Sequence, residues 1–166
     1  MAAGSTYTPI ATQTLASATT TVTFSSIPQT YTDLILVFSG ASTGTQGYRV
    51  GLGNGSIDTG TDYSETFLSG SGSAASSGRR TGYPAIVDPT VYTDQQTIIH
   101  QFMNYSNTST YKTVLYRSNS AGNEVTSGVA LWRAPSNAAI NIITATAYTQ
   151  NFVVGSTFTL YGIAAA

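Results

Sequence analysis

The chain has 166 residues, a formal net charge of −1 and 8% charged residues, where an ordinary globular domain carries about 25%. Its six basic residues are spread thinly, which excludes the basic stripe that a nucleic-acid-binding protein uses to neutralise phosphates. The absence of cysteine excludes disulfide bonds and thiolate metal sites.

The composition predicts a single all-β domain over residues 1–166. Apolar residues make up 41% of the chain, enough for a core at this length, and the eleven tyrosines and many threonines favour strands over helices. The N-terminus lacks the basic and apolar regions of a signal peptide, and no apolar run approaches the roughly 18–20 residues that span a bilayer. We therefore expect a protein that is made in a cytoplasm and has no membrane partner.

The first segments of the chain include the strongest strand signal. Residues 1–15 predict an N-terminal arm or an edge strand, and residues 20–24 alternate in the way of a half-buried strand. Residues 34–38 then place five large apolar side chains in a row between turn-forming residues. A run this short and branched predicts a strand that is buried on both faces.

The segments that follow alternate between short strands and polar connections. Residues 48–52 predict a strand, Asn54 and Gly55 a tight turn, and residues 65–68 another strand. Residues 69–95 begin with a Ser/Gly/Ala run of flexible-linker composition and contain two prolines. We predict that they form a long Gly/Ser-rich loop that projects from one end of the fold.

The second half of the chain predicts five more strands and no capped amphipathic helix. Short strands at regular spacing, separated by turn clusters, are typical of an antiparallel sandwich or barrel. The predicted fold is a jelly-roll-like antiparallel β-sandwich of eight to ten strands. The five later strands are predicted at residues 97–105, 111–117, 128–133, 139–148 and 157–163.

Two features have the form of a catalytic site. Residues 40–44 match the G-x-S-x-G pattern of a nucleophile elbow around Ser42, but the helix that an elbow requires does not follow. His100, the only histidine, lies in an apolar strand segment with no nominated acid partner. We predict that Ser42 lies in a turn and that His100 is a half-buried strand residue with a hydrogen-bonded ring. No enzymatic activity is expected.

Three acidic residues follow the Asn54–Gly55 turn. Asp58, Asp62 and Glu65 carry the hard oxygen ligands that calcium prefers, although their spacing is not that of an EF-hand. Asp62 and Glu65 also have the residue types of a glycosidase carboxylate pair, without a distinguishing feature. Because Asp and Asn favour turns for backbone reasons, we predict a solvated loop and no cofactor.

Basic and aromatic residues in the predicted loop are candidates for contact with a partner protein. Arg79 and Arg80 precede Tyr83 and Tyr92 within residues 69–95. Arginine forks and flat aromatic rings are suited to anchor a loop that becomes ordered on docking. We predict that these four side chains face a partner.

Five segments spread over most of the chain outside residues 69–95 carry a family signature. They include the sequences NYSNTSTYKTVL, LWR and GSTFTLYGI, and they occupy residues 26–34, 103–115, 131–133, 151–152 and 155–163. Together these segments resemble a group of tailed-phage virion proteins. The resemblance implies a structural part of the phage particle, either a capsid decoration (cement) protein or a tail component, without a catalytic motif to transfer.

A capsid decoration protein is the first functional expectation from this resemblance. We expect a trimer on the particle surface that binds the major capsid protein or other virion proteins and stabilises the head by interface burial. The N-terminal arm would lie on a neighbouring protein, which adds Tyr7 and Ile10 to the predicted contact residues. The alternative is a tail-tip or fibre module that binds host surface glycan through clustered tyrosines.

Overall fold

The computed structural model describes residues 6–87, 89–120, 122–134 and 137–164, which form thirteen β-strands. None of these residues forms a helix that is long and apolar enough to cross a membrane. The strands in chain order are β1 (Tyr7–Thr14), β2 (Thr21–Phe24), β3 (Asp33–Gly40), β4 (Gln46–Asn54), β5 (Ser56–Ile57), β6 (Tyr63–Gly70), β7 (Ala75–Tyr83), β8 (Thr90–Val91), β9 (Gln96–Met103), β10 (Lys112–Asn119), β11 (Val125–Trp132), β12 (Ile142–Ala147) and β13 (Thr157–Ile163).

The strands form two antiparallel sheets, as the composition predicts. The larger sheet has eight strands in the order β1-β13-β3-β9-β10-β11-β6-β7. The smaller sheet has five, in the order β2-β12-β4-β5, with β8 paired to β4. The prediction of an all-β antiparallel sandwich is confirmed, with more strands than the eight to ten expected. The finer prediction of a jelly roll is not confirmed, because the strands divide eight to five.

The core lies between the inner faces of the two sheets. Leu34, Leu36 and Phe38 of β3 are fully buried, and Tyr48 and Val50 of β4 are fully buried in the same cluster. Alternate residues of each strand point into this core, because side chains of a strand alternate between its faces. The sandwich is therefore held together by apolar burial from both sheets.

The strand at residues 34–38 departs from its prediction on one face. Ile35 and Val37 point away from the core and remain partly exposed, whereas Leu34, Leu36 and Phe38 are fully buried. The expectation of burial on both faces is therefore wrong for the isolated chain. The second face of this strand belongs to an open surface of the eight-stranded sheet.

The prediction of one long loop over residues 69–95 is also wrong. Strand β6 continues to Gly70, a tight turn follows in which Ser71 N donates to Ala74 O at 2.9 Å, and β7 then pairs with β6 along its length. Ladder hydrogen bonds involve only backbone groups, so a Ser/Gly-rich segment forms a strand where a neighbour is available. Gly78 is required here, because a Cβ at this position would lie 2.7 Å from the ring of Phe67.

The N-terminal segment is an edge strand rather than a free arm. From Tyr7 to Thr14 it pairs with β13, with a bulge between Pro9 and Ala11. Proline and a bulge both interrupt the hydrogen-bonding pattern that a further strand would need, and edge strands are commonly protected in this way. The first five residues of the predicted arm lie outside the described residues.

Candidate functional site

The two catalytic candidates are buried and lie in separate surroundings. Ser42 lies in the connection between β3 and β4, and its hydroxyl donates to Gly44 O at 2.5 Å, in agreement with the predicted turn. His100 is fully buried in β9, where its ring stacks on Tyr48 and Tyr116 with centroids 5.6 Å away in both cases.

The environment of His100 differs from the prediction in two ways. The residue is completely buried rather than half-buried, and neither ring nitrogen has a hydrogen-bond partner in the described part of the chain. Burial lowers the pKa of His100 to about 3, because a charged imidazolium would lose its hydration there. His100 is thus a neutral member of the aromatic core.

The three acidic residues of the calcium hypothesis do not converge on one point. Asp58 accepts a 2.7 Å hydrogen bond from the indole of Trp132, whereas the buried Glu65 accepts a 3.1 Å hydrogen bond from Arg80. Burial raises the pKa of Glu65, and the adjacent Arg80 opposes that change. No group of three or more His, Cys, Asp or Glu residues suited to a metal ion is present among the described residues.

The outer face of the eight-stranded sheet is an extended exposed surface, which we call the apolar face. Leu68, Val129 and Leu115 are 66%, 49% and 39% exposed, respectively, on three different strands of this sheet. They share the face with Ile35, because the register pairs Ile35 with Gln101, Gln101 with Leu115, and Leu115 with Val129. Ile99 lies two residues before Gln101 on the same strand and therefore points to the same side. An apolar surface of this extent on a single chain indicates an interaction site. The apolar side chains of this face include Ile35, Val37, Leu68, Ile99, Leu115 and Val129.

A depression of about 510 Å³ occupies the middle of the apolar face. Its walls come from β1, β3, β6, β9, β10 and β11, and its apolar lining includes Tyr7, Ile35 and Leu115. Gln101 and Arg117 add polar groups to the same lining. A concave apolar site with a few polar groups is the usual form of a binding pocket, and this volume lies within the usual range.

The outer face of the five-stranded sheet has a different chemistry, which we call the polar face. Thr21 and Thr23 of β2 lie opposite Thr146 and Thr144 of β12, and Arg49 of β4 follows in the same row. The hydroxyls of Thr21 and Thr146 are 3.3 Å apart and hydrogen-bonded. Only one of the two outer sheet faces is therefore apolar, and the other provides an internal control.

The two predicted contact arginines lie on opposite sides of β7. Arg80 pairs with Glu65 and its guanidinium carbon lies 4.5 Å from the ring centroid of Phe67. Arg79 pairs in register with Thr66, which lines the depression, so Arg79 lies on the apolar face at its edge. Successive side chains of a strand point to opposite faces of the sheet, so Arg79 and Arg80 do not act as one cluster.

The other four predicted contact residues are dispersed. Tyr7 lines the depression and contacts Tyr161 edge-on, with ring centroids 6.3 Å apart. Ile10 is partly buried against the core, and Tyr83 lies at the end of β7 opposite Tyr63. Tyr92 follows β8, and its pKa is raised to about 12 by burial and by Glu124. Tyr7 and Arg79 are thus the predicted contact residues that the apolar face brings together.

Sequence reasoning missed the central residues of the apolar face, of which Arg117 is the most informative. Of the six basic residues, Arg49, Arg79 and Arg117 have no hydrogen-bond or ion-pair partner within the described ranges, and Arg49 instead packs over the ring of Tyr148 on the polar face. This leaves Arg79 and Arg117. Both lie on the apolar face. One sequence signal indicates the apolar face: central strands contain adjacent apolar residues, such as Ile98 with Ile99 and Val114 with Leu115. Such pairs are typical of strands that are covered on both sides.

Comparisons with known proteins provide no assignment. No family model, no curated protein and no solved structure matches the chain.

Proposed function

We propose that this chain is a structural protein of a tailed-phage particle that decorates the capsid as a trimer and stabilises the head by binding neighbouring capsomers, including the major capsid protein. The resemblance of five sequence segments to virion proteins supports the particle, and the apolar face supports the mode of action. The apolar face is the single observation that carries the proposal.

The dimensions of the apolar face suit a stable protein contact. Eight strands at a spacing of about 4.8 Å give a width of about 34 Å, and eight residues per strand give a length of about 26 Å. The resulting area is close to the ~800 Å² that each partner buries in a standard interface. At about 25 cal/mol for each Å² of apolar area, burial of the apolar part of this face favours a lasting contact over an exposed surface.

The runner-up function is binding of host glycan by a tail-tip or fibre module. That function favours several aromatic platforms in one groove, because sugar rings stack on flat aromatic side chains. Three aromatic residues line the depression, but Phe67 and Tyr116 are partly or fully buried, which leaves Tyr7 as the exposed ring. The other apolar lining residues are aliphatic. The lining therefore favours a protein partner.

The proposal is tested on phage heads that are assembled with and without this protein. We expect heads without the protein to open at a lower temperature than decorated heads. When the salt is diluted, they should also open earlier, at a higher remaining ionic strength. Addition of the purified protein should restore the resistance in both assays. Heads of equal resistance in both preparations would remove the proposed stabilising role. Sedimentation of the purified protein measures the trimer directly.

A further inference from the structure

We infer that the apolar face binds an extended acidic segment of a partner polypeptide, with one carboxylate of that segment on Arg117. This inference rests on the proposed function and deepens it, because it specifies the chemistry of the partner surface that the decoration protein would recognise. Neither the resemblance nor the fold specifies that chemistry.

The apolar content of the central strands argues for a protein occupant. Strands β3, β9 and β10 each place apolar residues on both faces, although the sandwich covers only one face. Strands that are buried on both sides have this pattern, whereas strands with one solvated face alternate between apolar and polar residues. The exposed apolar side chains that line the depression are mostly aliphatic, with Tyr7 the exposed ring among them, and they suit aliphatic side chains of a partner better than sugar rings.

The charge on the apolar face argues for an acidic occupant. Arg117 lines the depression and Arg79 lies on the same face, and neither has an ion-pair or hydrogen-bond partner among the residues that the structure describes. The acidic residue of this face, Asp33, already accepts a 2.8 Å hydrogen bond from the backbone of Asn104. Two free guanidinium groups beside apolar surface suit a segment that combines carboxylates with apolar side chains.

The register fixes the spacing between the two arginines. Across the sheet, Arg117 pairs with Ser127, Ser127 with Leu68, and Leu68 with Ser77. Ser77 lies on β7, two residues from Arg79. Three strand spacings and two residues correspond to about 16 Å between their Cα atoms. In an extended segment, side chains four residues apart face the same way and lie about 13 Å apart. The difference from the arginine Cα separation is about 3 Å, which two long arginine side chains can bridge. Carboxylates four residues apart are therefore the predicted spacing.

The test uses a designed peptide, acetyl-Leu-Ser-Glu-Ser-Leu-Ser-Glu-Ser-Leu-amide, which places leucines and two glutamates on one face at this spacing. Its affinity for the full chain is measured by NMR titration and compared with that of the same peptide carrying Gln in place of Glu. We expect the acidic peptide to bind roughly tenfold more tightly, because hydrogen bonds to charged groups are stronger than neutral ones. Chemical shift changes are expected at Ile35, Leu115 and Val129.

Matched variants locate the contribution of each arginine. Arg117→Gln should remove most of the preference for the acidic peptide and Arg79→Gln part of it. Arg49→Gln changes the net charge equally, but Arg49 lies on the polar face, where it packs over the Tyr148 ring at 3.5 Å. It should leave the affinity unchanged. Equal affinity for the two peptides, or an equal effect of all three variants, would overturn the inference.

Other occupants of the apolar face give different results. Tighter binding of polygalacturonate than of the acidic peptide would assign the face to an anionic glycan and overturn the inference. Self-association that Leu115→Glu abolishes would assign the face to a second copy of the chain, which also overturns it. Heads that gain resistance from the protein while the peptides show no preference would leave the proposed function intact. If the heads gain no resistance from the protein, the proposed function is wrong, whatever the result with the peptides.

Discussion

Arg80 donates a 3.1 Å hydrogen bond to Glu65, a carboxylate whose side chain is only 3% exposed. The pair joins the edge strand β7 to β6, and the hydroxyl of Tyr116 lies 3.4 Å from the other carboxylate oxygen of Glu65. A buried carboxylate without its cation is costly, so this pair fixes the register of the β6–β7 hairpin.

Arg80→Ala should lower the free energy of unfolding by roughly 1–3 kcal/mol at pH 7, because it leaves a buried carboxylate with only the neutral donors of Tyr116 and the Val87 backbone. Urea unfolding followed by tryptophan fluorescence measures the change, since Trp132 is buried in the same sandwich. Arg79→Ala is the control. Arg79 is exposed and is expected to change stability by less than about 0.5 kcal/mol. Equal effects of the two variants would contradict the role given to the pair.

The pKa of Glu65 gives the same variant a pH dependence. In the Arg80→Ala variant the carboxylate loses the neighbour that favours its charged form, so its pKa should rise further above the ordinary value. A raised folded-state pKa means that stability is lost as pH rises through the titration. The penalty of the variant relative to the natural chain should therefore shrink as pH falls from 7 towards the ordinary pKa of 4.5, and be smallest below it. A penalty that stays constant from pH 7 to pH 3.5 would contradict this expectation.

His100→Leu should make the fold less sensitive to acid. The folded-state pKa of His100 is lowered from 6.5 to about 3, so its stabilising neutral form is complete above pH 6.5 and is progressively lost as pH falls towards 3. At about 1.4 kcal/mol per pH unit below 6.5, the natural chain should lose between about 2 and 3 kcal/mol more than the variant between pH 7 and pH 4.5. Unfolding curves at the two pH values measure this difference. Parallel loss of stability in both proteins would exclude His100 as its source.

Gly128→Ala should destabilise the centre of the large sheet. A Cβ at Gly128 would lie 2.3 Å from the ring of Tyr116, which is buried and stacks on His100. The ring has to move, and overpacking of this kind costs about 1–3 kcal/mol. Gly70→Ala is the matched control in the neighbouring strand, because its nearest atom lies at 4.0 Å. Thermal unfolding of the two variants should therefore separate them clearly.

Much of the sandwich could be predicted from the sequence, and the exceptions have physical causes. Residues 34–38 and the other apolar segments predict the strands, because alternation and turn residues are local signals. The β6–β7 hairpin was missed because its stability comes from backbone pairing and from the Gly78–Phe67 contact, which composition does not record. Complete burial of His100 depends on the rings of Tyr48 and Tyr116, which are distant in the sequence.

The candidate site was predicted only in part for a similar reason. Tyr7 and Arg79 were identified as contact residues from their type, but the register of six strands decides that they share a face with Arg117. Arg80 has the same type as Arg79 and is committed to Glu65. Residue type indicates the chemistry available for contact, and the fold decides which side chains remain free for it.

The most direct test of the proposed function is the binding of surface variants to undecorated phage heads. Leu115→Glu combined with Val129→Glu places two charges on the apolar face at side chains that are 39% and 49% exposed, so the fold should be retained. Thr21→Glu combined with Thr23→Glu places the same charges on the exposed polar face. Cosedimentation with heads should show loss of binding by the first pair and normal binding by the second. Normal binding by both would contradict the proposal that the apolar face holds the protein on the capsid.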